Sequence, residues 1–292
     1  MATLKIIRRR IASFKSTQKT TRAMKFVSAA KLRRAQEALL NAGPYSTNLA
    51  RIADSLLSAE SPVVKPREEA PPALLLIVVT SDRGLCGGYN ANLLRKAEEI
   101  SRQSRARGVE PQIFVLGRKG ADHYRRARQK LLGDRINLVP KLAQLGLAAD
   151  LASLVLSKFR GGEISEAGVA YTHFRSAISQ QPAYETILPI SPKQSTADGM
   201  ANERQPSVDY LIEPNREELV ETVLQSYVES AIFQALLESE ASEQAARMTA
   251  MDSATNNAAD MIDRLSLEMN RARQAAITTE LMDIVGGAEA LR

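Results

Sequence analysis

The two ends of this chain carry apolar residues at alternating spacings of three and four positions, over stretches much longer than a helix of a compact domain. Near the amino terminus this spacing predicts one helix of about 60 residues, or about 85 Å at 1.5 Å per residue. Its apolar stripe consists of Leu4, Ile7, Ile11, Phe14, Leu32, Ala35, Leu39, Ala42, Leu49, Ala53 and Leu56. A helix of this length cannot bury its stripe alone, so it requires a partner.

A second long helix is predicted at the other end, because neither proline nor glycine occurs from residue 215 to residue 285. If unbroken, it would be about 110 Å long. The same spacing recurs at Ala258, Ile262, Leu265, Met269, Ala272 and Ala276. The two helices can bury their stripes by pairing antiparallel as a coiled coil.

Two features interrupt the first stripe. The Gly43 and Pro44 pair is expected to bend or locally break the helix without ending it, since the repeat resumes beyond it. Four stripe positions are polar or small, which predicts that the helix changes its packing partner there: Gln18, Thr21, Lys25 and Ser28.

A separate α/β domain is predicted between the helices. Residues 62–72 hold four prolines and four charges, which favours an extended linker. The apolar run at residues 73–79 is typical of a strand buried on both faces. Further helices are predicted near residues 91–107, 120–130 and 145–159, and further strands at 112–117 and 167–174.

The composition of residues 189–206 indicates an exposed loop, before a last short strand over residues 208–213. The predicted fold class is therefore α/β with long helices, an antiparallel coiled coil of the terminal helices plus a central Rossmann-like domain. The expected division is residues 1–61 and 213–292 for the two long helices and 73–212 for the α/β domain.

Charge is distributed unevenly. The formal net charge of +6 favours acidic partners. Residues 1–36 contain eleven basic residues and no acidic one, whereas the start of the second long helix is rich in glutamate. Basic neighbours are expected around that acidic part.

Several functional classes are disfavoured. No apolar run approaches the ~20 residues of a membrane helix, and no secretory leader is visible, so neither insertion nor secretion is expected. Cys86 is the only cysteine, which excludes an internal disulfide and is compatible with a reducing compartment. With only His123 and His173 as histidines, no metal site is expected, and no cofactor.

Two alternative functions stay open from the residues alone. The turn after the first strand contains Gly84, Gly87 and Gly88, but their spacing is not that of a phosphate-binding loop. An α/β nucleotide-binding enzyme is therefore disfavoured. The basic amino-terminal stretch would also suit a coiled-coil adaptor for nucleic acid, although no nucleic-acid-binding motif accompanies it.

Four segments resemble the gamma subunits of rotary ATP synthases and occur in that family's order: TQKTTRAMKFVSAAKLRRAQ, SDRGLCGGYN, ASEQAARMTAMDSATNNA and ITTELMDIVGGAEAL. The resemblance implies a non-catalytic central stalk that stands inside a hexamer of alpha and beta subunits, with catalysis on beta. It implies that the α/β domain is a foot on the membrane rotor ring and the epsilon subunit. The inserted cysteine pair of chloroplast members is missing, so thiol regulation of that type is not expected.

The resemblance also implies a location and a set of contact residues. The expected location is peripheral, at the cytoplasmic face of the bacterial inner membrane or the equivalent matrix face, without membrane insertion or a nucleic-acid partner. The positions implied to face the hexamer are Met24, Lys25, Lys31, Arg33, Arg34, Ser81, Asp82, Arg83, Arg247, Arg273, Gln274 and Thr278. Those implied to lie at the foot, near the ring, are Tyr210 and Glu213.

Overall fold

A computed structural model of the chain describes residues 2–56, 72–137, 142–190 and 215–289. In chain order, its elements are α1 (Ala2–Leu56), β1 (Ala73–Val79), α2 (Tyr89–Ala106), β2 (Glu110–Leu116), α3 (Arg118–Arg126), β3 (Gly133–Arg135), α4 (Leu142–Arg160), β4 (Glu166–Phe174), β5 (Gln180–Leu188) and α5 (Arg216–Glu289). The two long helices and the α/β pattern between them confirm the predicted fold class.

The sheet has five strands in the order β3-β2-β1-β4-β5. β1 pairs parallel with β2 and β4, and β2 pairs parallel with β3, whereas β5 runs antiparallel to β4. All seven residues of β1 are buried, as its unbroken apolar run requires for a central parallel strand. The sheet is therefore mixed, with a parallel core and one antiparallel edge.

β3 and β5 are additional to the predicted strands. β3 has only three residues, too few to produce a pattern. β5 begins with two glutamines and contains Pro182, which is tolerated because β5 lies at the edge of the sheet and needs hydrogen bonds on one side only. The predicted strand over residues 208–213 lies outside the described residues, as do nearly all of the predicted linker and loop.

Each face of the sheet carries its own apolar core. Alternate residues of β1, such as Leu74 and Leu76, pack with α2 and α3. The other set, including Leu75 and Ile77, packs with α4 and with parts of α1 and α5. The sheet is thus covered by helices on both faces, and residues of α5 belong directly to the core of the α/β domain.

The contacts within the chain divide it into two compact units, one formed by Met1–Ala30 with Arg247–Arg292 and the other by Lys31–Ala246. In the first unit, Thr21 bonds to Thr255 and Lys25 bonds to Asp252. Residue numbers therefore rise along α1 as they fall along α5, which confirms the predicted antiparallel pairing. In the second unit, the hydroxyls of Ser46 and Ser230 meet at 3.0 Å.

The predicted stripe on α1 is confirmed. Every buried residue of the described part of this helix lies on it: Ile7, Ile11, Thr21, Ser28, Leu32, Ala35, Leu49 and Ala53. The helix also continues through Pro44, so the Gly43 and Pro44 pair does not end it.

The predicted change of packing partner at the polar stripe positions is wrong. The Thr21 and Thr255 hydroxyls lie 2.8 Å apart, and Lys25 Nζ donates to Asp252 Oδ1 at 2.6 Å. α5 supplies complementary polar side chains, so the helices remain paired where the stripe becomes polar.

Candidate partner-contact surfaces

The amino-terminal part of α1 presents a basic face. Ten of its eleven basic side chains up to residue 36 are exposed, and only Lys25 is half-buried. They are exposed because the heptad repeat directs the stripe positions toward the partner helix and leaves the others outside. Of the predicted contacts, Lys31, Arg33 and Arg34 belong to this face, and Arg33 lies 3.4 Å from Glu37 on the next turn.

Two large apolar side chains interrupt the basic face. Phe26 is 61% exposed and Val27 is 57% exposed, next to half-buried Met24 and Lys25. Neither occupies a stripe position, so pairing with α5 does not cover them. An exposed aromatic ring among cations is typical of a protein-contact surface.

The loop between β1 and α2 contains three predicted contacts with different environments. Ser81 is buried, and its Oγ donates to the Arg83 carbonyl at 2.8 Å while its N–H donates to Asn90 Oδ1 at 3.0 Å. Asp82 Oδ1 accepts the backbone N–H groups of Arg118 and Asn137, at 2.9 and 3.0 Å. Ser81 and Asp82 therefore shape the loop.

The outer surface of this loop is formed by other side chains. Arg83 is exposed, and Leu85 is 63% exposed with a left-handed backbone at φ 64°. This conformation is unfavourable for a leucine, yet it directs an apolar side chain outward. Leu85 is thus a contact candidate that the sequence pattern did not indicate, while neighbouring Cys86 is buried.

The amino terminus of α3, which could have bound an anion, is occupied by this same loop. Asp82 Oδ1 accepts the Arg118 N–H, the Ser81 carbonyl accepts the Lys119 N–H at 3.0 Å, and Thr80 Oγ1 accepts the Gly120 N–H at 2.9 Å. A Cβ at Gly117 would lie 2.1 Å from the Thr80 carbonyl oxygen. This glycine therefore permits close chain packing, and those three N–H groups are already satisfied without a phosphate.

The carboxyl-terminal part of α5 presents a second surface. Arg273, Gln274 and Thr278 are exposed, and the Thr278 hydroxyl donates to the Gln274 carbonyl at 3.0 Å. Four large apolar side chains are exposed in the same part of the helix: Ile277, Leu281, Met282 and Ile284. At 100° per residue, Ile277, Leu281 and Ile284 share a face with the three polar residues, away from the stripe.

The remaining predicted contacts are placed differently. Arg247 is buried, with 8% of its surface exposed, so most of its side chain is covered within the chain itself. Tyr210 and Glu213 lie outside the described residues.

A buried polar group on α5 was not indicated by the heptad pattern. Glu238 is buried and contacts His173 of β4, and Tyr89, from the start of α2, donates its hydroxyl to the Ser239 carbonyl. Burial raises the pKa of Tyr171 above its usual range, and the Glu238 charge adds to this effect. The one sequence signal is the position of Glu238 directly after an apolar run, Ala235–Leu237.

Two other types of site are absent from the described ranges. No group of three or more His, Cys, Asp or Glu side chains there could hold a metal ion. None of the helices described is long and apolar enough to cross a membrane. By exposure, the candidate surfaces are the basic face with Phe26 and Val27, the loop of Arg83 and Leu85, and the exposed face of α5.

By its fold, the chain is an α/β protein with two long antiparallel terminal helices, whose exposed faces are candidate contact surfaces. The sequence profile of the family described as ATP synthase matches residues 3–291. The chain is 43% identical over 295 residues to the ATP synthase gamma chain of Pelotomaculum thermopropionicum, with 100% of both chains covered. It is 44% identical over 296 residues to that of Geobacter metallireducens, again over 100% of both. The chain belongs to the family of ATP synthase gamma chains.

Solved structures show the same fold. A chain from the Euglena gracilis mitochondrial ATP synthase matches with a TM-score of 0.71 at 22% identity, covering 99% of this chain and 95% of that one. A chain from the central stalk and c-ring structure of the Tetrahymena thermophila mitochondrial ATP synthase matches with a TM-score of 0.61 at 24% identity. That match covers 80% of this chain and 99% of the other.

Proposed function

We propose that this chain is the central-stalk rotor subunit of a proton-translocating ATP synthase and performs no bond chemistry itself. It would couple rotation of the membrane ring to ATP synthesis or hydrolysis on the beta subunits. The observation that carries the proposal is full-length similarity to ATP synthase gamma chains, in a chain whose paired helices keep contact faces exposed.

The chemistry of those faces suits a turning element. Contacts of a rotor must hold at each stopping position and then exchange for equivalent ones. The exposed apolar side chains of α5 offer contacts without directional bonds, which an apolar sleeve of alpha and beta subunits could exchange at low cost. The exposed cations of α1 would meet acidic loops of beta in ion pairs worth only ~0.2–1 kcal/mol each.

The partners and location follow the same proposal. Alpha and beta would contact the basic face, the loop of Arg83 and Leu85, and the exposed face of α5. The epsilon subunit and the membrane ring would contact the α/β domain, with Tyr210 and Glu213 near the ring. The subunit would be peripheral at the cytoplasmic face of the inner membrane, with residues 1–61 and 213–292 as the stalk and 73–212 as the foot.

Reconstitution tests this function directly. The chain would be co-purified with alpha and beta subunits of the same organism, and ATP hydrolysis would be measured with and without it. We expect a stoichiometric complex, a bead on the chain that rotates with ATP, and no multi-turnover hydrolysis by the chain alone. Hydrolysis by the purified chain, or failure to associate with alpha and beta, would contradict the proposal.

The two alternatives have their own signatures. A nucleic-acid adaptor would bind duplex or single strands with an affinity that falls steeply with salt. A nucleotide-dependent enzyme would bind nucleotide stoichiometrically as an isolated chain. Both measurements use the same purified protein, and we expect neither result.

A further inference from the structure

The segment of α5 from Ile232 to Arg247 is buried on most of its circumference, and several of its buried residues are polar. Burial of Glu238 costs the most free energy, because its carboxylate loses its hydration. Charged or hydrogen-bonding partners must replace the lost water. The partners of Glu238 therefore show which elements fix this segment of α5 in place.

Glu238 has protein partners on both carboxylate oxygens. Oε2 contacts the His173 ring nitrogen Nδ1 and accepts the Phe174 backbone N–H at 3.3 Å. Oε1 accepts Gln234 Nε2 from the preceding turn of α5 at 3.2 Å. Because His173 and Phe174 end β4, this one side chain connects the helix to the end of a central strand.

Two further hydrogen bonds lie on the same side of α5. Ser242 Oγ donates to the Thr172 carbonyl at 2.9 Å, one turn beyond Glu238. Tyr89 donates its hydroxyl to the Ser239 carbonyl at 3.3 Å. Positions 238, 239 and 242 share one helix face, so β4 and α2 both bond to a single turn of α5.

We infer that these residues form a polar clamp, defined as Glu238, Ser239 and Ser242 of α5 with Tyr89, Thr172 and His173, which transmits torque between the α/β domain and α5. Apolar contacts are non-directional and resist sliding weakly, whereas hydrogen bonds to a buried charge weaken steeply when their geometry changes. The clamp therefore stiffens the joint against rotation of the helix relative to the sheet. This inference rests on the proposed rotor function.

The test compares two activities of the assembled complex. ATP synthesis driven by a proton gradient requires torque to pass through the joint, whereas unloaded ATP hydrolysis requires little torque there. Glu238→Gln keeps the side-chain volume but removes the charge that accepts hydrogen bonds. Tyr89→Phe with Ser242→Ala removes the two hydroxyls that donate to backbone carbonyls. The matched control is Glu221→Gln, which removes a charge from an exposed position on the same helix, 3.8 Å from Arg160. Each complex is placed in liposomes with a complete membrane ring.

We expect unloaded ATP hydrolysis to stay within about twofold of wild type in the clamp variants. ATP synthesis driven by a proton gradient should fall by roughly three- to tenfold, the effect of losing about one ordinary hydrogen bond. In single-molecule rotation, a bead on the α/β domain should show a broader distribution of stopping angles. The control should match wild type in all three measurements.

A parallel fall in hydrolysis and synthesis, or an unchanged angular distribution, would overturn the clamp. Should the Glu238 variants fail to assemble, His173→Gln tests the same contact from the half-exposed side of β4 and should also broaden the angles. An unchanged distribution in an assembled His173 variant would likewise overturn it. A wild-type complex that neither rotates nor couples would instead refute the proposed function.

Discussion

Lys25 on α1 and Asp252 on α5 form an ion pair, with 2.6 Å between Nζ and Oδ1. It joins the two long helices where the stripe of α1 is polar, next to the hydrogen bond between Thr21 and Thr255. Lys25 was predicted to be available to a partner subunit, yet its charge is already used within the chain. The contact of Lys25 with a partner subunit stays a prediction, while the other ten cations of the basic face are exposed.

Reversing the charge of Lys25 alone should weaken the pairing of the helices. The side chains are 36% and 46% exposed, so solvent screens them and the pair contributes only ~0.2–1 kcal/mol. Lys25→Glu should lower the unfolding free energy by about that amount or slightly more, because two carboxylates then meet. Adding Asp252→Lys should restore it, as measured by urea unfolding at low salt.

The neighbouring Arg22→Glu variant is the control, since Arg22 is exposed and off the stripe. It should change stability less than Lys25→Glu. If the double variant were no more stable than Lys25→Glu alone, the pair would not contribute to helix pairing.

The exposed face of α5 gives a second prediction. Arg273, Gln274 and Thr278 lie within about 140° of each other around the helix axis, so they can meet one neighbouring loop. Replacing all three by alanine should weaken assembly with alpha and beta at least about tenfold, from three lost polar contacts of ~0.5–1.5 kcal/mol each. Quantitative co-purification at limiting concentration measures the effect.

Glu268 and Thr279 serve as the comparison, because both are exposed on the same helix and, at 100° per residue, project from the side opposite to the chosen face. Their double alanine variant should assemble nearly as wild type does. Equal losses for the two sets would show that the chosen face has no special role.

Buried tyrosines give a prediction about alkaline stability. Burial raises the pKa of Tyr124 to about 12, and the Glu98 charge adds to this effect. The unfolded chain ionises this phenol near pH 10, so its contribution to stability is complete below pH 10 and is lost as pH rises toward 12. The loss should be on the order of 2 kcal/mol.

Urea unfolding between pH 9 and pH 11.5 should show this loss in wild type and a smaller one in Tyr124→Phe. The substitution should be nearly neutral at pH 8, because the Tyr124 hydroxyl is buried without a hydrogen-bond partner. Tyr45→Phe, at an exposed position of α1, should leave the pH dependence as in wild type. Identical slopes in Tyr124→Phe and wild type would contradict the assignment.

The long helices and the central parallel strand were predictable from sequence because they rest on local periodicity. A stripe that repeats over tens of residues determines which side of α1 is buried, and the apolar run of β1 determines a strand buried on both faces. The contacts between Lys25 and Asp252 and between His173 and Glu238 were not predictable. Each joins residues far apart in sequence, and no local pattern indicates which residue is the partner.

The contact residues of the loop between β1 and α2 were only partly predictable from sequence. Family resemblance indicated Ser81 and Asp82 as contacts, but the structure uses both to shape the loop, with Asp82 bonded to the start of α3. Leu85 was overlooked because its exposure depends on a left-handed backbone that no local pattern specifies. The sequence predicted this loop as a contact region, which stays a prediction, whereas the division between supporting and exposed side chains required the fold.

The last prediction concerns the basic face of α1. Lys31, Arg33 and Arg34 are exposed, and as individual surface charges each should contribute only ~0.2–1 kcal/mol to a partner contact. No single substitution should therefore prevent assembly. Reversing all three to glutamate should leave the buried stripe intact while placing like charges against the proposed acidic loops of beta at each third of a turn. We expect an assembled complex with slowed turnover.

Salt decides whether that slowing is electrostatic. The Debye length is about 8 Å at physiological ionic strength and about 3 Å at 1 M, so added salt should restore part of the lost rate. ATP hydrolysis and proton pumping would be measured across a salt series for wild type, the triple glutamate variant and a triple glutamine variant. Glutamine removes attraction without adding repulsion, so its rate should lie between the other two at low salt. Wild-type rates for the glutamate variant at low salt would mean that these cations are only solvated and make no contact during rotation.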